Sequence, residues 1–287
     1  MTDEGYRALA TVSDLATSLE AAGAAPVVID VRWAVGAPSQ RPAYLQAHIP
    51  GARWCDLDAD LADPPGDPSR PDTGGRHPLP NPHRLQRRLR DWGVDDSSEV
   101  VVYDAADSVA AARAWWVLRW AGLRRVRVLD GGFAAWISAD RPVESEERAP
   151  SPGTVTVASP GLPTLDATRS AEWAAAGRLI DVRAPERFRG EIEPMDPVAG
   201  RIPGAINVPT TGNTISSGHF LPAERIRRRL TEAGVSAGGA PLGVYCGSGV
   251  TAAHTVLALH LAGVPAVLYP GSWSEWITDP ARPVATG

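Results

Sequence analysis

Two α/β domains, each a mainly parallel sheet flanked by helices on both faces, are predicted for this 287-residue chain by its length, an internal repeat and an alternation of strands with helices. The length exceeds what one small core needs and sits near twice the common domain size. Four landmarks recur in the same order along the chain. Ile29-Asp30-Val31-Arg32 returns as Ile180-Asp181-Val182-Arg183, and Ile49-Pro50-Gly51-Ala52 returns as Ile202-Pro203-Gly204-Ala205. An apolar strand ending at Tyr103 is matched by one ending at Tyr245, and Trp136 by Trp276. The second and third landmarks lie further apart in the first half, which places an insertion in the Pro/Gly/Asp-rich stretch 59–80.

Each half then reads as the same series. In the first, 100–103 is a short apolar strand, 109–121 a helix, 126–129 a strand and 133–136 a short helix. In the second, 242–245, 252–262, 266–269 and 272–276 take those places. Alternation of this kind implies parallel strands covered on both faces. The domains are placed at 1–145 and 146–287, with a link at about 141–163, where Pro, Ser, Glu and Gly replace any periodic pattern.

Composition removes several function classes. A net charge of −5 gives no basic field for a nucleic-acid backbone, and the cationic run 225–229 reads as a solvated helix face. Apolar stretches are interrupted well short of a membrane span, and the opening residues show no basic-then-apolar leader, so a cytoplasmic protein without membrane contact is expected. All 28 basic residues are arginine, which excludes a lysine Schiff base and a Gly-Lys-Ser/Thr phosphate loop. The two cysteines, Cys55 and Cys246, fall in different halves and lack the companions of a zinc site or disulfide framework.

Cys246 follows a strand directly and opens Cys246-Gly247-Ser248-Gly249-Val250-Thr251 before a helix. Two glycines let the backbone turn tightly with successive N–H groups inward, and the helix start adds partial positive charge. A thiolate is stabilised in such a cradle, beyond the carboxyl end of a strand where open α/β sheets bind ligands. A buried structural cysteine is the bland alternative. The repeat argues against it: the first half keeps strand and helix but has Asp104 at the corresponding place, so one domain reads as reactive and the other as its silent copy. Cys55, between Trp54 and Asp56, reads as a packing residue, and the tryptophans, Trp115, Trp116 and Trp120 among them, as core and interface filler.

The tandem landmarks and the Cys246–Thr251 loop resemble the two-domain rhodanese family, over nearly the whole chain. Within it the loop is similar to that of 3-mercaptopyruvate sulfurtransferases; thiosulfate enzymes often carry Cys-Arg-Lys-Gly-Val-Thr, whose two cations suit a dianion. The resemblance implies two rhodanese-like domains and a ping-pong transfer in which Cys246 takes sulfur from a small donor as a persulfide. The sulfur then passes to thioredoxin, a small thiol or cyanide, without metal or organic cofactor. It implies catalytic roles for Ser248 and for Asp58, and donor binding by Arg187, His77 and the loop residues Gly247, Gly249, Val250 and Thr251. Arg187 matches the arginine for the donor's carboxylate, with Arg189 or Arg201 as candidate helpers. The chain departs from its relatives at Met195-Asp196, where a second arginine commonly stands. A thiosulfate:cyanide sulfurtransferase and a non-catalytic sulfur-sensing module remain alternatives. A phosphatase of related fold does not fit, because no arginine follows in the loop.

Overall fold

The computed structural model describes residues 7–21, 25–66, 74–236 and 239–287. The chain divides into two compact units, the first comprising 1–62, 80–162 and 216–220, the second 63–79, 163–215 and 221–287. Of the insertion read at 59–80, residues 67–73 lie outside the described residues. Asp63–Leu79 of that segment is counted with the second unit.

In the first unit the order is β1 (Leu9–Ala10), α1 (Val12–Glu20), β2 (Val27–Asp30), α2 (Arg41–Gln46), β3 (Arg53–Trp54) and α3 (Leu57–Asp60), followed by α4 (Pro82–Asp91), β4 (Val100–Tyr103), α5 (Val109–Trp120), β5 (Val126–Leu129) and α6 (Gly132–Ser138). The strands form one parallel sheet in the order β1-β5-β4-β2-β3. Central β4, Val-Val-Val-Tyr, is buried at every residue. Such a continuous apolar run belongs to a strand covered on both faces. Helix α1 begins with a capping box: the Thr11 hydroxyl accepts from Asp14 N and the Asp14 carboxylate from Thr11 N, each at 3.1 Å. Trp115, Trp116 and Trp120 are all buried on α5. The stretch 141–162 runs along this unit, with Val155 N donating to Val94 O at 3.1 Å and Ala158 N to Ala121 O at 2.9 Å.

In the second unit α7 (Ala167–Ala175), β6 (Leu179–Asp181), α8 (Pro185–Phe188) and β7 (Ile206–Asn207) precede a 3-10 turn at Thr210–Gly212. Then come α9 (Ala223–Glu232), β8 (Leu242–Tyr245), α10 (Val250–Leu261), β9 (Ala266–Leu268) and α11 (Ser272–Trp276). The parallel sheet has the order β7-β6-β8-β9. Leu179, Ile202, Tyr245, Tyr269, Trp273 and Trp276 build its core. None of the described helices is long and apolar enough to cross a membrane.

The repeated landmarks are one buried network built twice. Asp30 and Arg32 form an ion pair at 2.7 Å, and Arg32 Nη2 donates to Ala47 O at 2.7 Å. Tyr103 OH donates to Asp30 at 2.7 Å and accepts from Ile49 N at 3.2 Å. Asp181 and Arg183 pair at the same 2.7 Å, Arg183 reaches Gly200 O at 2.7 Å, and Tyr245 OH accepts from Ile202 N at 3.1 Å. Burial, reinforced by the neighbouring aspartate, pushes both tyrosines well above their ordinary pKa, so each hydroxyl keeps its proton as a donor. The network ties the end of a central strand to the Ile-Pro-Gly-Ala turn, which fixes the strand end from which the next loop departs.

Candidate active site around Cys246

β8 lies between β6 and β9, and its last residue, Tyr245, delivers Cys246 to the carboxyl end of the sheet. Cys246 is 3% exposed. Its Sγ accepts a hydrogen bond from Gly249 N at 3.1 Å, at the first turn of the 12-residue helix α10. The N–H and the helix dipole both favour negative charge at that sulfur. Gly249 holds φ at +81°, and a Cβ there would come within 2.4 Å of Pro270 O. Backbone conformation and close approach therefore both demand glycine. Val250 begins α10 with its side chain buried, and Thr251, half-buried, follows it.

α11 closes the loop from the other side. Trp273 N donates to Cys246 O at 3.0 Å and Ser274 N to Gly247 O at 2.9 Å. Ser272, at φ +53°, accepts from Cys246 N at 3.1 Å through its hydroxyl and donates to Tyr269 O at 2.9 Å. Ser272 was not legible as a site residue: a hydroxyl in a left-handed turn leaves no periodic mark in the sequence.

The segment 74–79 supplies the third wall. Arg76 N donates to Ser274 Oγ at 3.0 Å, and a Cβ on Gly75 would lie 2.8 Å from Gly271 O, so this chain passes in contact with the turn before α11. His77, expected from the sequence to serve the site, sits with Nδ1 2.8 Å from Ser248 Oγ. The pair forms a hydroxyl–imidazole contact two residues beyond the cysteine, capable of passing a proton. Ser248 is itself buried.

Arg187 extends from α8 toward the loop. A Cβ placed on Gly247 would meet Arg76 Nη2 at 2.9 Å and Arg187 Nη2 at 3.6 Å, so two guanidinium groups lie beside the backbone next to the cysteine. Arg187 Nη2 is 2.5 Å from Glu193 and 3.5 Å from Asp196. Arg76 forms an ion pair with Asp196 through Nη1. Burial lowers the Arg76 pKa from its ordinary value, with Cys246 opposing that shift and Arg187 adding to it.

Sequence reasoning passed over Arg76, although it adjoins His77, because its acidic partner lies far along the chain. The candidate helpers are engaged elsewhere. Arg189 is exposed and paired with Glu191 at 2.6 Å, while Arg201 reaches Gly287 O at 2.8 Å and stacks over Phe188. Asp58 lies on α3 of the first unit and accepts from Trp33 Nε1 at 3.1 Å. Cys55 is 1% exposed, and burial, with Asp60 next in weight, pushes its thiol well above the ordinary range, consistent with an inert packing residue.

Comparison with known proteins agrees with this architecture. The model of the rhodanese-like domain matches twice, over residues 11–139 and 165–279. A Pseudomonas aeruginosa protein provisionally named 3-mercaptopyruvate sulfurtransferase is 47% identical, across 91% of this chain and 92% of its own. A Mycobacterium tuberculosis protein provisionally named thiosulfate sulfurtransferase SseB is 45% identical, across 97% of both chains. The crystal structure of the 3-mercaptopyruvate sulfotransferase SseA from Escherichia coli superposes with a TM-score of 0.80 at 31% identity, covering 93% of this chain and 98% of that one. With two matched domains, relatives over nearly its full length and a cysteine cradle in the second unit, the chain belongs to the rhodanese family of sulfurtransferases.

Proposed function

We propose that the protein moves sulfane sulfur from 3-mercaptopyruvate to a thiol or cyanide acceptor through a persulfide on Cys246. The observation that carries the donor assignment is the His77–Ser248 contact of 2.8 Å beside the nucleophile. The Cys246 thiolate attacks the donor's thiol sulfur, an S–S bond forms and the C–S bond breaks, leaving the electron pair on the former methylene carbon. The proton carried by that thiol must then reach the carbon, giving pyruvate and an anionic persulfide. A hydroxyl–imidazole pair at the site serves that transfer. With thiosulfate the leaving group is sulfite and no proton has to move, so the pair has no task in that reaction.

In the second half-reaction the acceptor attacks the outer sulfur and returns Cys246 as thiolate. Cyanide leaves as thiocyanate, and a small thiol or a thioredoxin thiol leaves as its own persulfide. The Gly249 N–H and the start of α10 stabilise the anion at each stage. Arg187 serves the donor carboxylate, and Asp58 is retained as the third catalytic residue.

The test is to incubate the protein separately with 3-mercaptopyruvate and with thiosulfate, remove excess donor, and weigh the Cys246 peptide without reduction. A peptide one sulfur heavier after mercaptopyruvate supports the proposal; no added sulfur with either donor, in folded protein, removes it. His77→Gln should slow loading from mercaptopyruvate about a hundredfold while changing thiosulfate loading less than about threefold. Equal losses with both donors would mean that His77 only supports the loop, and would remove the basis for the mercaptopyruvate assignment.

A further inference from the structure

We propose that Arg76 and Arg187 form a two-arginine clamp for the donor's anionic group, with Asp196 as the residue that positions Arg76. This deepens the proposed reaction and rests on it for the identity of the donor, though not for the existence of an anion site. Three observations carry it.

Both guanidinium groups lie beside Gly247, the residue that follows the nucleophile, so an anion held between them would place its attached sulfur near Sγ. Arg76 is oriented: Nη1 is committed to Asp196, which leaves Nη2 turned toward the loop. The charges are layered. The Glu193 and Asp196 side chains keep only 3% and 4% of their surface, whereas Arg187 and Arg76 keep 19% and 30%. The acids lie behind, and what a ligand meets is cationic.

The arrangement also accounts for the departure noted at Met195-Asp196. The second cation is present, but it enters from the segment 74–79, and the acid at position 196 is its anchor. The fork of a guanidinium is suited to this division of labour, one nitrogen to a protein acid and another to the ligand.

A direct test compares carboxymethylation of Cys246 by the anion iodoacetate with carbamidomethylation by neutral iodoacetamide. In both reactions the thiolate displaces iodide. Rates are read from the Cys246 peptide, with buried Cys55 as internal control. In the unaltered protein the iodoacetate/iodoacetamide rate ratio should exceed that of free glutathione; a ratio at or below glutathione's overturns the clamp whether or not any variant folds. Arg76→Gln should lower the ratio about tenfold, the equivalent of one charge-assisted hydrogen bond. It should also raise the KM for 3-mercaptopyruvate about tenfold, with kcat within about threefold.

Arg76→Lys should retain most of the ratio. Equal slowing of both reagents in Arg76→Gln, or a loss in Arg76→Lys as large as in Arg76→Gln, would mean that Arg76 only supports the loop, and would overturn the proposal. Failure of the unaltered protein to load sulfur would remove the proposed reaction, while the alkylation ratio would still decide the clamp.

Discussion

The loop after β4 and the loop after β8 are the same cradle with different contents. Each leaves a buried tyrosine at the end of a central strand and enters a 12-residue helix through a residue in the left-handed region, Ser108 at φ +60° or Gly249 at φ +81°. Each is pinned by the following helix: Phe133 N to Asp104 O at 2.8 Å in one, Trp273 N to Cys246 O at 3.0 Å in the other. In the first unit the Asp104 carboxylate accepts from Ser108 N and Ala110 N at 3.0 Å and Ala111 N at 3.1 Å. In the second a sulfur takes that place. Cradle geometry is thus a property of the repeated fold, and the difference lies in what flanks it. Asp107 stands beside Asp104, whereas Arg76 and Arg187 stand beside the Cys246 loop.

The largest effect should come from exchanging the contents. Cys246→Ser should reduce sulfur transfer by at least about a thousandfold, and Cys55→Ala should leave it nearly intact, both measured by release of pyruvate. Adding Asp104→Cys to Cys246→Ser should not restore transfer, because the new thiol would have a cradle without a donor clamp. Recovery of sulfur on that peptide would show that the cradle alone suffices and would break the comparison.

Asp104 offers a stability test. Burial, aided by Asp107 and opposed by three backbone N–H groups, raises its pKa to about 7. The folded state therefore holds a proton that the unfolded chain releases at lower pH, so stability falls as pH rises between about 4 and 7. The slope from this group approaches about 1.4 kcal/mol per pH unit, roughly 4 kcal/mol across the window. Denaturation midpoints of the unaltered protein and of Asp104→Asn, taken from pH 4 to 8, should diverge in slope within that window and run parallel above it. Parallel curves throughout would show that Asp104 is ionised in the folded state at all these pH values.

Repeat and alternation carried the fold because each strand and helix is a local pattern. The strands at 100–103, 126–129 and 242–245 emerge with those bounds, since apolar runs between turn residues depend little on distant partners. Cys246 and its glycines were legible for the same reason. His77 was recovered only through resemblance, and its contact with Ser248 is tertiary. Arg76 drew no reading from the sequence, and Met195-Asp196 was read as a missing cation. Their pairing joins two remote segments, and a salt bridge of that kind writes nothing periodic into either one. Ser272 was hidden for another reason: a left-handed serine is rare, and its value lies in one hydroxyl that holds the Cys246 N–H.

The entry residues of the two helices give the finer tests. Gly249→Ala adds a Cβ in the left-handed region, about 1–2 kcal/mol, and drives it into Pro270 O. A total loss of about 3 kcal/mol is expected, with transfer impaired because Gly249 N also holds Sγ.

The counterpart change runs the other way. Ser108 already bears the left-handed strain, and its buried hydroxyl has no hydrogen-bond partner among the described residues. Ser108→Gly removes both penalties and adds about 0.5–1 kcal/mol of unfolded-state entropy. A net gain of about 1 kcal/mol in urea denaturation is expected, with transfer unchanged. The opposite signs follow from position: the second cradle must keep its N–H on a reacting sulfur, whereas the first holds a carboxylate that three donors already share. A destabilised Ser108→Gly would mean that the serine's hydroxyl has an unseen partner, and the first cradle would then be more than a silent copy.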